Sequence, residues 1–338
     1  MDPPGPYMLA PMAELSHRAL RELIERFSRR RTPGKAAPEY FSEMISVPAL
    51  LSGGPFEKWY LDGEPCPERL VYQLLGAGER SLAAAAALLD RRHCLGIDVN
   101  MGCAAPAITK TGAGVRLMED IDKAGRIIAA LRRVTKKRLS AKLRLGPSPS
   151  RQRLYGPAAP DAEIPGAGFE YLLKFCRRLE SQGVDFITLH PRFAGEKFKR
   201  RARWDYVKAL RKELSIPVAG NGDITDPGVM EKRAREGPVM IGRLAVKAPW
   251  VFGPPHTRPL PRNQKFLEET ALTFLDLLAL YQPPEFHLSR ARRFFRYYCD
   301  NFTWAEYVRN KINREKTLQG MGRVIQEYCK SISGEEAL

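Results

Sequence analysis

The chain has 338 residues, 44% hydrophobic and 28% charged, a balance that excludes a disordered or fibrous protein and suits one large domain plus a smaller one. Fifty-five Lys and Arg against 38 Asp and Glu leave a formal charge of +17, which points to a polyanionic partner, nucleic acid first. The six cysteines, Cys66, Cys94, Cys103, Cys176, Cys299 and Cys329, make no C-x-x-C pair and no zinc-like spacing, so we expect reduced thiols, no metal and a cytoplasmic protein. The amino terminus lacks a basic leader and the longest apolar run, residues 82–89, is far short of a bilayer, so no membrane partner is expected.

In chain order, strands are expected near residues 7–12, 40–45 and 69–75, followed by a helix over 79–92. A fourth strand over 96–102 runs directly into Cys103, and a helical pattern follows from 119 to 137. The fifth strand, 139–146, leads into the Pro-, Ser- and Gly-rich interval 147–168, a length typical of functional loops. Strands near 185–192, 217–224 and 238–245 complete eight, with Asp226-Pro227 reading as an N-cap and an N1 proline. Eight β/α units predict an α/β fold, a (β/α)8 TIM barrel over residues 1–254. After a proline-rich break the segments 264–281, 286–302 and 320–330 carry helix-spaced apolar residues, predicting a small all-helical domain over 255–338. That tail holds 13 Lys and Arg against 10 Asp and Glu, so most of the positive charge belongs to the barrel.

Barrel enzymes mount their chemistry where strands run out into loops, and most of these strand ends hold a polar or glycine cluster. The first ends in Ala10-Pro11-Met12, the third reaches Gln73, the fourth Asn100 and Cys103, the fifth Lys142 and Arg144, and the sixth His190 and Arg192. The last two end in Gly220-Asn221-Gly222-Asp223 and Ile241-Gly242-Arg243, where glycine-exposed amides form this fold's recurrent phosphate cradle. Taken singly, each has an ordinary reading too: Cys103 as a small buried hydrophobe, Lys142 as a snorkelling lysine, His190 as a structural histidine. Basic stretches at 29–31 and 132–138 fit solvated helix ends as readily as RNA, the stretch 197–203 follows the sixth strand on the expected active face and suits RNA, and the arginine and aromatic mixture of 290–298 suits RNA or an ordinary bundle helix. For 290–298 we expect aromatics inside and arginines outward.

Read in order, Ala10-Pro11-Met12-Ala13, Ser42-Glu43-Met44-Ile45, Gln73-Leu74-Leu75-Gly76, Asn100-Met101-Gly102-Cys103, Lys142-Leu143-Arg144-Leu145-Gly146, His190-Pro191-Arg192, Gly220-Asn221-Gly222-Asp223-Ile224 and Gly242-Arg243 through Pro249-Trp250 resemble the signatures of the tRNA-dihydrouridine synthases. These are flavin enzymes that reduce uridine in transfer RNA. The resemblance implies FMN as cofactor, NADPH as reductant and tRNA as partner. FMN would lie along Pro11, Met12 and Ala13, with Gln73, Lys142 and His190 at its polar edge and Asn221, Gly222, Asp223, Gly242 and Arg243 at its phosphate end. A lysine at the pyrimidine edge of a flavin suits the anionic reduced ring.

Cys103 would act as the general acid, protonating C5 of uracil while reduced flavin delivers hydride to C6; cysteine thiols, with a pKa of ~8.5, are mostly protonated at neutral pH. Asn100, Arg144 and His190 would face the uracil. The target nucleotide must leave the RNA stack, a cost that backbone contacts offset, and Lys199, Arg200, Arg290 and Arg293 are expected to supply them. The protein is expected to act as a monomer. Two departures stand out: Ala104 follows the cysteine where the family usually places proline, and the 147–168 interval is not typical. A small-molecule pyrimidine or enoate reductase, a non-catalytic RNA-binding barrel, and a sugar-phosphate isomerase or aldolase using Lys142 remain open from the residues alone. So do the target uridine and the preference between NADPH and NADH.

Overall fold

The computed structural model describes residues 3–29, 37–146, 166–196, 200–253 and 263–335. Its eight parallel strands pair in sequence order and close on themselves: β1 (Tyr7–Leu9), β2 (Glu39–Ser46), β3 (Leu70–Leu75), β4 (Gly96–Met101), β5 (Arg138–Leu143), β6 (Phe186–Leu189), β7 (Val218–Asn221) and β8 (Val239–Ile241), which returns to β1. The expected (β/α)8 TIM barrel therefore forms. Every strand starts within a residue of its expected position, while β1, β5, β6, β7 and β8 stop three or four residues early. The residues beyond those ends are the loops that leave the barrel mouth.

Alternation along each strand sorts side chains between two environments. In β4, Ile97, Val99 and Met101 face the surrounding helices, and in β5 Leu139, Ala141 and Leu143 do the same, all joining one apolar core. The other face points into the barrel and changes character along its axis. At the foot of the barrel, Arg138 and Glu39, the first residues of β5 and β2, form a buried ion pair across the interior, with Glu39 also accepting from the Gly5 N–H at 2.7 Å. Above them sits a separate apolar layer of Met8, Phe41, Val71, Phe186, Ala219 and Met240. Toward the mouth the inward positions turn polar, with Gln73, Asp98, Ser140 and Thr188 fully buried. An apolar side chain would fill such positions more cheaply, so the polar layer marks the functional end.

Helices close the units between strands: Arg18–Ser28, Glu79–Asp90, Ile121–Val134, Gly166–Ser181, Trp204–Glu213, Pro227–Ala234 and the short Arg243–Lys247. Asp226 caps its helix as expected, accepting from the Val229 N–H at 2.9 Å ahead of Pro227. Gly220 is required by close approach, since a Cβ there would lie 2.2 Å from Trp204 Cζ3. That indole packs against β7 and donates from Nε1 to the Gly222 carbonyl at 3.0 Å, holding the β7 loop in place. Most of the expected 147–168 loop lies outside the described residues, and a helix has begun by Gly166.

The tail is helical: Gln264–Tyr281, Pro284–Tyr298, Ala305–Arg314 and Leu318–Glu335. The third of these was not expected, because its buried stripe is only Val308 and Ile312. Phe274 stacks on Phe294 with ring centroids 3.7 Å apart, Phe294 on Tyr298 at 4.9 Å, and Tyr298 donates to the Leu267 carbonyl at 2.9 Å. Full burial of one such side chain contributes about 1.5–3 kcal/mol. The apolar core runs without interruption from the barrel helices into the tail, so residues 263–335 are docked on the barrel.

Arg290 corrects the expectation that the arginines of 290–298 all turn outward. It shares a helix face with Phe294 and Tyr298, four and eight residues on, which is the buried face. Its guanidinium pairs with Glu43 at 2.8 Å and donates to Gln282 Oε1 at 2.6 Å, with both charged partners almost fully buried. Arg292, Arg293 and Arg296 lie on other faces. Among the described residues, no helix is long and apolar enough to cross a membrane.

Candidate active site

One cleft at the barrel mouth collects most of the expected residues. Ala10, Pro11, Met12, Met44 and Met240 supply apolar walls; Asn100, Cys103, Lys142, Arg144, His190, Asn221, Gly222, Asp223, Gly242 and Arg243 supply the rest. Ala13 and Gln73 are not part of its lining. Gln73 is fully buried beneath it, on the inner face of β3.

The thiol is held through its backbone. Cys103 N–H donates to Asn100 Oδ1 at 2.9 Å, and the Cys103 carbonyl accepts from the Val115 N–H at 3.0 Å. Gly114, at φ +62, allows that second contact, because a Cβ there would sit 2.4 Å from the Cys103 oxygen. Cys103 is partly exposed, and every other cysteine is buried. Lys142 and Arg144 are both electrostatically coupled to the thiol.

Burial, with Arg144 alongside, lowers the Lys142 ammonium to about 8, against the opposing pull of Asp98 and Cys103. Its Nζ donates to Asn221 Oδ1 at 3.0 Å, and the Asn221 amide donates in turn to the Met240 carbonyl at 2.7 Å. An ammonium has three protons to give, so Lys142 can still serve an acceptor in the cleft. Arg144 donates to the Gly102 carbonyl at 2.9 Å, bracing the cysteine loop from the β5 side.

His190 is kept far below its ordinary pKa by burial first and then by Lys142, Arg144, Arg192 and Arg243, so its imidazole is neutral. Arg192 Nη1 lies 3.0 Å from His190 Nε2 and can only donate, which puts the ring proton on Nδ1. Asp223, at φ +51, accepts two bonds from Arg192 at 2.5 and 2.6 Å and one from the Ala202 N–H at 2.7 Å. Burial would raise that carboxyl, but these bonds hold it below its ordinary range. Its side chain thus anchors Arg192, with Arg243 3.5 Å away, and does not offer itself to an anion.

A flavin mononucleotide needs a flat apolar floor, a donor at the pyrimidine edge and a cationic end for its phosphate, and this donor set fits. A Cβ on Gly242 would project beside Met12 Sδ and Ala10 Cβ, at 3.5 and 3.8 Å, so the glycine keeps that floor clear. Lys142 and Arg243 both line the cleft as cations. No cluster of metal-ligating side chains occurs among the described residues.

Past Ile224 and Arg243 the cleft continues into a groove walled by Lys247, Arg296, Tyr297 and Arg309, and Arg296 and Arg309 in turn border a recess with Arg292 and Arg293. Arg293 pairs with Glu14 at 3.4 Å, Arg309 with Asp300 at 2.6 Å. Lys247 and Arg296 have no ion-pair partner among the described residues. Arg200 is exposed near the mouth, its carbonyl accepting from Arg192, and Lys199 lies outside the described residues. Arg296 belongs to the arginine set of 290–298 expected to face RNA, whereas its groove neighbours Lys247 and Arg309 carried no sequence signal, because they gather beside it only when the tail docks on the barrel.

A (β/α)8 barrel whose mouth gathers a thiol, a buried lysine and an arginine-lined outlet has the arrangement of a barrel enzyme with its chemistry at the strand ends, and sequence comparison narrows that class. The dihydrouridine synthase family model matches residues 8–160 and 164–334. The chain belongs to the dihydrouridine synthase family. It is 27% identical to a tRNA-dihydrouridine synthase B of Xanthomonas campestris over 97% of this chain and 96% of the relative. It is 28% identical to a probable tRNA-dihydrouridine synthase of Rhodobacter capsulatus, covering 83% and 82%, and 27% identical to one of Aquifex aeolicus, covering 73% and 72%.

Proposed function

We propose that this protein reduces the 5,6 double bond of specific uridines in transfer RNA to dihydrouridine, with FMN as cofactor and NADPH as reductant. The observation that carries the reading is the single cleft in which Cys103, Lys142, Arg144 and Arg243 surround an apolar floor, continuous with an arginine-lined groove onto the tail. The residues of the cleft would hold FMN, which, once reduced by the dinucleotide, would supply the hydride that adds to C6 of the uracil ring.

The chain's own residues do the rest. Pro11, Met12 and Met240 would seat a planar ring system on an apolar surface, and Lys142, lining the same cleft, would offer its ammonium to the negative charge of the reduced ring. Neutral His190 and Asn100 offer neutral hydrogen-bonding groups beside the cations, fixing the uracil without adding charge. The Cys103 S–H bond breaks as its proton passes to C5, and Lys142 and Arg144 stabilise the thiolate left behind. Reprotonation comes from solvent at the partly exposed mouth. Outside the cleft, Lys247, Arg292, Arg293 and Arg296 take the phosphates flanking a base turned out of the RNA stack.

All six cysteines are free thiols, as a protein of the reducing cytoplasm would keep them. The purified protein is expected to carry or take up FMN, and to convert uridine to dihydrouridine in unmodified transfer RNA with NADPH. Failure to bind FMN, or conversion of free uridine at a rate matching that of transfer RNA, would overturn the reading. Binding should also weaken steeply with salt, and Arg296→Ala should lower the slope of log affinity against log salt by about 1.

A further inference from the structure

Beneath the cleft, four side chains on three adjacent strands form a chain of hydrogen bonds that ends at the catalytic loop. Ser140 Oγ donates to Asp98 Oδ1 at 2.5 Å, and Gln73 Nε2 donates to Asp98 Oδ2 at 2.6 Å. Asn100 Nδ2 donates to Gln73 Oε1 at 2.8 Å, and Asn100 Oδ1 accepts from the N–H groups of Gly102 and Cys103 at 3.2 and 2.9 Å. Strand register puts these groups side by side: Gln73, Asp98 and Ser140 are cross-strand neighbours on β3, β4 and β5, and Asn100 lies opposite Lys142. Ser140, Asp98 and Gln73 are wholly buried, and Asn100 nearly so.

The direction of every bond follows from one end. A carboxylate only accepts, so it turns the Gln73 NH2 group toward itself. That leaves the Gln73 oxygen to receive the Asn100 NH2 group, and so leaves the Asn100 oxygen to receive the Cys103 N–H. An amide at position 73 or 100 could otherwise adopt either orientation, and the wrong one would set an NH2 group against the loop amides.

We propose that Asp98 is a positioning residue for Cys103: through Gln73 and Asn100 it fixes which way two buried amides point and thereby where the thiol-bearing loop sits. The proposal rests on Cys103 as the reacting thiol. A buried carboxylate amid barrel strands costs stability, and fixing this polarity is what it returns.

The relay makes an unusual prediction about rescue. Asp98→Asn gives both partners of Gln73 an amide and removes the polarity; turnover of transfer RNA should fall by about tenfold or more, as sub-ångström misplacement of a reacting group does, with KM little changed. Gln73→Glu alone sets two carboxylates in contact and should also lose turnover. Combined, the carboxylate at 73 accepts from the amides at 98 and 100, Asn100 keeps its orientation, and the double variant should recover most of the lost kcat.

Alkylation of Cys103 by iodoacetamide, measured by mass spectrometry on each protein, gives a second readout that does not require turnover. The rate should shift in each single variant and return in the double. Wild-type alkylation rate and kcat in Asp98→Asn would overturn the proposal, and so would a folded double variant showing no recovery. Should neither variant fold, Asp98 serves stability and the positioning role is likewise refuted. If the wild type makes no dihydrouridine, the proposed function fails, while the alkylation series still decides the relay.

Discussion

Replacing Arg290 by methionine keeps the reach of the side chain and deletes its charge, leaving the Glu43 carboxylate buried between barrel and tail without its counter-ion. Arg290 meets Glu43 at 2.8 Å and Gln282 at 2.6 Å, and its guanidinium lies 4.7 Å from the Phe286 ring centroid. Removing one member of such a pair costs about 3–5 kcal/mol, mostly the penalty of stranding the other charge. With unfolding entropy of ~2.1 cal/mol/K per residue over a chain this size, that is a melting point lower by roughly 4–7 °C.

Burial already raises the Glu43 carboxyl, with Arg290 the main opposing influence, so the variant raises it further. A carboxyl with a folded pKa above its unfolded value binds more protons when folded, so stability falls as pH rises through that window. The deficit should therefore be smaller at pH 5 than at pH 8. Urea unfolding followed by circular dichroism at both pH values measures it. Glu43→Gln in the same chain should restore most of the loss, because a pair of neutral groups strands no charge. A deficit under about 1 kcal/mol, or a double variant no better than Arg290→Met, would refute the assignment of this pair as the buried link between tail and barrel.

Further outcomes follow from other sites. Gly220→Ala drives a methyl into the Trp204 indole and should destabilise by about 1–3 kcal/mol in thermal unfolding, whereas indifference would mean the indole is free to move. His17 is fully buried, and burial, then Arg290 and Arg21, hold its pKa well down against a lesser opposing contact with the Glu14 backbone. The unfolded chain alone takes up that proton, so stability present above pH 6.5 is lost on acidification, by about 2 kcal/mol between pH 7 and 5. His17→Phe should remove that share of the pH slope, and an unchanged slope would place the loss elsewhere. Because Lys142 lies at about 8, acetic anhydride at pH 8 should modify it in the flavin-free protein ahead of a lysine with the ordinary ~10.4, and peptide mapping reads the order.

Strand starts were legible because β/α alternation leaves short apolar runs between amphipathic helices, and the inward polar residues at their ends announced the mouth. The end of β5 was overread because Leu145 continues the apolar pattern into a loop that is itself buried, and the end of β6 because the chain stays buried through His190 and Arg192 after the ladder stops. Arg290 shows how composition misleads where periodicity would not. Its spacing to Phe294 and Tyr298 assigns it to the inner face, yet a lone arginine among arginines reads as surface until its partner Glu43, 247 positions away, is known. Gln73 lies two residues before the end of β3 on its inward face, and there it is buried beneath the cleft lining, joined to Asp98 and Asn100, a placement that no local sequence pattern reveals. The groove is tertiary in origin: Arg296 carried a local signal in the 290–298 arginine run, but Lys247 and Arg309 have none until the tail docks.

The account stands on Cys103 as the proton source facing the cleft, and a single-turnover experiment isolates that step. Cys103→Ala, loaded with FMN and reduced with NADPH in the absence of oxygen, is mixed with unmodified transfer RNA, and dihydrouridine is counted after quenching. Flavin reduction and RNA affinity close to wild type, with dihydrouridine formation reduced by about 10²-fold or more, is the predicted result. Dihydrouridine formed at the wild-type rate would contradict it.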